Sequence, residues 1–388
     1  MNKLIYEQWH FPRPKLVDSY LRMLRDGPSD PIALQSPRRW GKTTFLLTEI
    51  SAAASVAGYL PVYIDVWQHR ADVLAAINYG LQEAIDDLAV PSSTVGRRLR
   101  TRVNKVGVAA MALEFGEEPT RRRPESPFLL VDWLLKTLVR TAKRPVLLLF
   151  DEIQELAVSK DGEAIVSALR AAITKSKSSV RVIFTGSNQD RLSELLSRSR
   201  AALYEGASIL AFPHLDDDFL AFVSAHAQKS FRRRIAVSDL AVAFERFQYQ
   251  PRALIDLVFL YVSGDKASFA QVLDARIEAM LSSELFQPIL EAMTLLQKQI
   301  CRRLAAGADV SSIDAKKAYT QALARPAISP GSISDALKSL VDSHVLSKPA
   351  GSHGGYTFDD PMFREWMTRL VWLSLPSKAD IAVTPSVR

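Results

Sequence analysis

The chain is poor in residues that staple small or metal-dependent scaffolds: it has one cysteine and six histidines among 388 residues. The lone Cys301 excludes an intrachain disulfide and points to a reducing compartment. These seven side chains form no ligand-spaced cluster, which argues against a metalloenzyme of the zinc type. Long apolar runs are missing too. None approaches the ~20 residues that a helix needs to span a bilayer, and residues 1–14 lack the sustained apolar core of a secretory leader. The expectation is a soluble, cytoplasmic protein with no membrane partner. Low-complexity tracts and internal repeats are absent. So is a strong charge: 49 Lys plus Arg against 42 Asp plus Glu leave +7, compatible with nucleic acid or an acidic surface and diagnostic of neither. What is present is a globular balance, 48% hydrophobic and 23% charged, in a length that suits roughly two or three domains.

The first two-thirds alternates short apolar runs with helix-like stretches, the pattern of a parallel sheet covered by helices. Five runs read as buried strands: Ile32 to Gln35, Pro61 to Val66, Pro145 to Phe150, Val180 to Thr185 and Ser208 to Phe212. Helices are expected over Lys42 to Ala57, stopped by Gly58, and over Pro127 to Lys143. Beyond Asp216 the pattern turns helical until about Ser283 and then changes again, so boundaries are expected near residues 214 and 284. Pro91 to Pro124 is the least regular stretch, an insertion carrying Arg97, Arg98, Arg100, Arg102, Lys105 and Arg121 to Arg123.

Ser36-Pro37-Arg38-Arg39-Trp40-Gly41-Lys42-Thr43-Thr44 follows a predicted strand and opens a predicted helix, the context that a phosphate-binding loop requires. Backbone N–H groups at such a helix start carry partial positive charge toward an anion. Gly41 lets the backbone close on the β-phosphate, Lys42 reaches the β- and γ-phosphates, and the Thr43 hydroxyl suits Mg²⁺. Ser36 stands where the usual pattern opens with glycine, which costs strain unless its φ is negative. An accidental Gly-Lys-Thr-Thr turn is the competing reading. Leu147 to Phe150 followed by Asp151 and Glu152 weakens it. A buried strand would deliver Asp151 to the carboxyl end of the sheet, where it can hold Mg²⁺ through water. Glu152 beside it can polarise an attacking water as general base.

Arg38 to Thr44, then Leu148-Leu149-Phe150-Asp151-Glu152-Ile153-Gln154, then Phe184-Thr185-Gly186-Ser187 resemble the archaeal-type ATPase family of the AAA+/STAND P-loop NTPases, similar to origin-recognition-type initiator ATPases. The resemblance spans most of the chain. It implies an α/β fold: a five-stranded parallel P-loop NTPase core (1–214) with the loop strand in the middle, a helical lid (215–283), a C-terminal winged-helix domain (284–375) and a tail (376–388). It also implies ATP and Mg²⁺ as cofactors, with the nucleotide between core and lid. Phe11, Pro12 and Arg13 match the segment packing beside the adenine. Ser187 or Asn188 matches the sensor-1 position, with an ordinary Gly-Ser-Asn turn as the alternative. Arg252, after Gln250-Pro251, matches a sensor-2 arginine or is a surface residue at a helix start. The family's tyrosine-glycine-arginine is not kept: Tyr204-Glu205-Gly206-Ala207 lacks the arginine, leaving Arg198 and Arg200 as candidate arginine fingers toward a neighbouring subunit.

Helices over Leu285 to Leu304, Ser312 to Leu323 and Ser332 to His344, then strands Val345 to Lys348 and Gly355 to Phe358 around a wing, then a helix from Asp360, follow the order of a winged helix. Its third helix offers Ser332, Ser334, Asp335, Lys338 and Asp342, little positive charge for phosphate contacts. That favours a protein-docking surface over a DNA reader. The basic clusters at 97–105, 121–123 and 232–234 are either solvated faces or a nucleic-acid footprint.

The combined reading is an ATP-hydrolysing molecular switch. Its partner is double-stranded DNA or an effector or regulatory protein on the winged helix, and a homo-oligomer stays open. Signalling or defence-type control of a separate effector, or a nucleotide-binding scaffold with little turnover, are the alternatives. A helicase is disfavoured because the chain has no room for a second motor domain.

Overall fold

The computed structural model describes residues 8–27, 31–69, 71–89, 123–197, 207–264, 267–281, 285–324, 327–347 and 355–374. The insertion's Arg97, Arg98, Arg100, Arg102, Lys105, Arg121 and Arg122 lie outside the described residues, as do Arg198, Arg200, Tyr204 to Gly206, wing residues 348–354 and the tail. The chain forms two compact units. One comprises Pro12–Ser36 and Gly41–Pro213; the other comprises the described residues of Met1–Phe11, Pro37–Trp40 and His214–Arg388.

The first unit is built on five parallel strands: β1 (Ile32–Gln35), β2 (Leu60–Asp65), β3 (Val146–Asp151), β4 (Val180–Gly186) and β5 (Ser208–Ala211). Each matches an expected run to within about a residue at either end. Their order is β2-β3-β4-β1-β5: β1, the strand before the expected phosphate loop, is interior, but β4 holds the middle, where the resemblance implies β1. The reason is the path of the chain. From β1 it crosses to the far edge for β2, returns through β3 and β4, and adds β5 on the open side of β1.

Strand β3 shows why the apolar runs are continuous instead of alternating. All six of its residues are buried, because successive side chains face opposite sides and both sides are covered. Val146, Leu148 and Phe150 pack into one core. Leu147 and Leu149 join Tyr20, Phe45, Leu46, Ile50 and Phe212 in the other. Each large side chain so buried contributes about 1.5–3 kcal/mol relative to exposure.

Helices cover these faces: α1 (Pro14–Asp26), α2 (Lys42–Val56), α3 (Val73–Ala89), α4 (Pro127–Ala142), α5 (Gly162–Lys175) and α6 (Gln189–Ser197). Helix α2 is not uniform, for Phe45–Ile50 within it is a π turn. It ends before Gly58, whose φ of 88° suits glycine.

The second unit carries α7 (Asp217–Phe231), α8 (Val237–Arg246), α9 (Pro251–Ser263), α10 (Phe269–Leu281), α11 (Gln287–Glu291), α12 (Leu295–Ala305), α13 (Ile313–Ala322), α14 (Pro330–Asp342), an antiparallel pair β6 (Leu346–Ser347) and β7 (Thr357–Phe358), and α15 (Pro361–Ser374). The single helix expected over 285–304 is two. Thr294 and Gln297 form a reciprocal capping box that starts α12 afresh. Helix α14 begins before the expected Ser332, because Ser329 accepts from the Ser332 N–H and Pro330 occupies the first turn. One apolar core runs through this unit from Trp9 to Met367. Cys301 lies fully inside it, and burial pushes its thiol up to about 12.

Candidate functional site

At the carboxyl ends of β1, β3 and β4, the sheet-bearing unit gathers most of the residues singled out from sequence. Gly41 precedes α2 with φ 92°, and a Cβ there would meet nothing within 4 Å. The glycine is therefore required by backbone conformation, not by crowding within the protein. Ser36 is not among the residues with positive φ; the left-handed non-glycine of the loop is Arg39, φ 65°. The strain anticipated for Ser36 does not arise. Its side chain has a use instead: Lys42 is 4% exposed and its Nζ donates to the Ser36 carbonyl at 2.8 Å and to Ser36 Oγ at 3.1 Å. A buried ammonium needs such acceptors.

Asp151 collects three hydroxyls. Thr43 Oγ1 donates to its Oδ2 at 2.5 Å, Tyr63 OH donates to the same oxygen at 2.9 Å, and Thr185 Oγ1 donates to Oδ1. Thr185 also accepts the Glu152 N–H at 3.2 Å, so one buried hydroxyl ties both carboxylate residues to β4. Burial first, and the Asp151 charge second, hold the Tyr63 hydroxyl protonated far above its ordinary range. Asp65, in register with Asp151 across β2 and β3, is raised by burial, against the Trp67 N–H that it accepts, with the Asp151 and Glu152 charges adding to the rise.

Glu152 sits at φ 56° and ψ 42°, left-handed for a non-glycine, a conformation that needs support from its surroundings. That support includes its bond to Thr185 and two donors on Oε2: Ser187 Oγ at 2.6 Å and Gln154 Nε2 at 2.5 Å. Of the two sensor-1 candidates, Ser187 thus reaches the carboxylate. Asn188 caps α6, its Oδ1 accepting the Arg191 N–H at 3.0 Å.

The donor set suits Mg²⁺: a hydroxyl and a carboxylate, both hard oxygens, stand side by side at Thr43 and Asp151. No group of three or more His, Cys, Asp or Glu is gathered for a metal among the described residues.

Solved structures resemble the chain over most of its length, two of them as follows. The Walker-type ATPase PABY2304 of Pyrococcus abyssi superposes with a TM-score of 0.60 at 15% identity, covering 93% of this chain and 99% of that one. The ORC2 protein of Aeropyrum pernix in its ADP form gives 0.52 at 15% identity, covering 97% and 98%. The fold is the one that the Walker-type ATPase of Pyrococcus abyssi has, a five-stranded parallel sheet covered by helices and followed by a helical unit. At such identities the likeness extends to fold alone. No known family model matches the sequence, and no curated protein matches it either.

The remaining candidates divide between the two units. Pro37 to Trp40 belong to the helical unit. There Trp40 Nε1 donates to the Gln248 carbonyl at 3.0 Å, with its ring edge-on to His214 and Tyr249. Arg38 Nη2 lies 3.0 Å from His344 Nδ1, and Arg39 pairs with Asp360 at 3.2 Å. Arg252 is exposed in the first turn of α9. Thr44 follows Thr43 on α2, its carbonyl accepting from Thr48 Oγ1. The expected adenine segment divides: Phe11 packs edge-on to Phe219 in the helical unit. Arg13 lies in the sheet unit, 4.6 Å from the Phe45 and Phe212 rings, its backbone N–H donating to Glu49 at 2.5 Å. Burial lowers the Arg13 pKa against the opposing pull of Glu49.

Sequence reading missed Tyr63, Thr185 and Gln154 as site residues. Thr185 and Gln154 stood inside the motifs that carried the resemblance, as polar residues next to apolar ones. Tyr63 gave no signal, because a tyrosine in a strand reads as core.

Proposed function

We propose that the chain binds Mg-ATP and hydrolyses it, acting as a switch that passes nucleotide state to a partner. The observation that carries this reading is the convergence of Lys42, Thr43, Asp151 and Glu152 at one end of the sheet, held by Thr185. Lys42 would exchange Ser36 for phosphate oxygens and spread their charge. Thr43 and Asp151 would hold the metal, which when bound neutralises developing charge on the phosphates. Glu152 would accept a proton from water as its oxygen attacks the γ-phosphorus; the bond to the bridging oxygen breaks and ADP leaves with the electron pair. Ser187 would steady that carboxylate. Gly41 and its neighbours, in the P-loop fold shared with the ATPase of Pyrococcus abyssi, would cradle the phosphates.

The contacts of Arg38, Arg39 and Trp40 inside the helical unit support coupling, since these residues are continuous in sequence with Gly41 to Thr43. A partner would dock on the C-terminal helices, which with β6 and β7 we read as a winged helix. Lys338 is the single cation of α14, beside Asp335 and Asp342, which favours a protein partner over DNA phosphate. Turnover of Mg-ATP by wild type and Glu152→Gln, each with and without double-stranded DNA, tests the reading. Loss of turnover with nucleotide binding retained is expected in the variant. Equal turnover in both proteins would remove Glu152 as base, and binding without turnover in either would leave a scaffold. Stimulation by DNA would overturn the preference for a protein partner.

A further inference from the structure

Gln154, the second residue of the turn Ile153–Val158, is completely buried. Its amide faces two oxygens, Glu152 Oε2 at 2.5 Å and Ser187 Oγ at 3.4 Å. An ionised carboxylate only accepts, so the amide must present its nitrogen to Glu152. That orientation turns Oε1 of Gln154 the other way, where it is buried without a hydrogen-bond partner. It lies against Gly186: a Cβ on that glycine would stand 2.8 Å from it. A buried acceptor without a donor works against stability. An unbranched apolar side chain of the same length would fill the space without that penalty. Packing therefore gives no reason for glutamine here, whereas its donor to Glu152 does.

Both donors converge on the same carboxylate oxygen. Oε2 of Glu152 takes Gln154 and Ser187, while Oε1 receives no hydrogen bond from the described residues. Two donors on one oxygen, with the Glu152 N–H tied to Thr185, restrict the carboxylate to one rotation and leave Oε1 without a donor among the described residues. We propose that Gln154 is a positioning residue for Glu152: by holding Oε2 together with Ser187, it aims Oε1 as the acceptor for the proton of the attacking water. This deepens the hydrolytic reading and rests on it. Preorganisation of this kind acts on the chemical step and leaves ground-state binding of the nucleotide alone.

The test compares Mg-ATP turnover, affinity for a fluorescent ADP analogue and thermal midpoint in wild type, Gln154→Met, Glu152→Gln and the double variant. Expected for Gln154→Met are a kcat lower by about tenfold or more, nucleotide affinity within about twofold of wild type, and a midpoint that does not fall. The double variant should turn over no more slowly than Glu152→Gln alone, because Gln154 acts only through that carboxylate. Wild-type kcat in Gln154→Met overturns the proposal, as does a loss multiplied onto that of Glu152→Gln. So does a fall in affinity or midpoint matching the fall in kcat. Should Gln154→Met fail to fold, Gly186→Ala displaces the same amide from the other side and is held to the same split. If Glu152→Gln hydrolyses like wild type, the general-base reading fails and the positioning role with it. If Glu152→Gln is inactive and Gln154→Met is not, the positioning role alone fails.

Discussion

Thr185→Val probes the hydroxyl that ties the two carboxylate residues to β4. The side chain is fully buried, it donates to Asp151 Oδ1 and accepts the Glu152 N–H. Valine has nearly the same shape, so the change removes hydrogen bonding with little change in packing. A hydrogen bond to a charged group contributes about 1.5–3 kcal/mol, and a buried N–H left unpaired costs about 1–3 kcal/mol. Water reaching the half-buried Glu152 recovers part of the second amount, so a net loss of about 2–4 kcal/mol is expected. Thr185→Ser is the control: it keeps the hydroxyl and loses one methyl, about 1 kcal/mol. Urea unfolding of both variants, with the slope checked for constancy, measures the two losses. Valine as stable as serine at this position would refute the reasoning, for the hydroxyl would then contribute no more than a methyl.

Three further outcomes follow from the same physics. Glu49→Ala leaves Arg13 buried between Phe45 and Phe212 without its carboxylate; a loss of about 3 kcal/mol is expected, larger than for Arg13→Met, and chemical denaturation ranks the two. Asp65→Asn should raise the stability of the nucleotide-free protein near neutral pH. The Asp65 carboxyl is held above its ordinary value when folded, so its charge opposes folding, and the advantage of the variant should disappear as pH falls through that raised value; unfolding midpoints compared at neutral and acid pH read the difference. Cys301, buried with its thiol pushed up to about 12, should react with a thiol reagent only as fast as the surrounding helices open. Fast labelling of the native protein would contradict the placement of α12.

Local physics made much of this protein legible in one dimension. Apolar runs such as Val146 to Phe150 are too short for a helix and read as strands covered on both sides, because neither face tolerates water. Gly41 before Lys42 and Thr43 marks a left-handed backbone position followed at once by an ammonium and a hydroxyl. Asp151 and Glu152 at a strand's end follow from the period of the strand itself. Where the information is carried across the fold, sequence fell short. The order of strands depends on which crossover reaches which edge, so β4 and not β1 holds the centre. The break before α12 turns on Thr294 and Gln297 satisfying each other's backbone, which competes with a continuous helix by little free energy.

The site divides along the same line. Sequence by itself singled out the groups proposed to carry the chemistry: one lysine, one threonine and two carboxylates, each placed by its neighbours in the chain. Tertiary structure alone decided how those groups are held. Tyr63 and Thr185 come from other strands to bind Asp151, and Ser187 comes from beyond β4 to bind Glu152. Gln154 folds back beside Ser187 on the same oxygen. Hydrogen bonds act over about 3 Å, so their partners are set by the packing of strands and turns, which no spacing along the chain encodes.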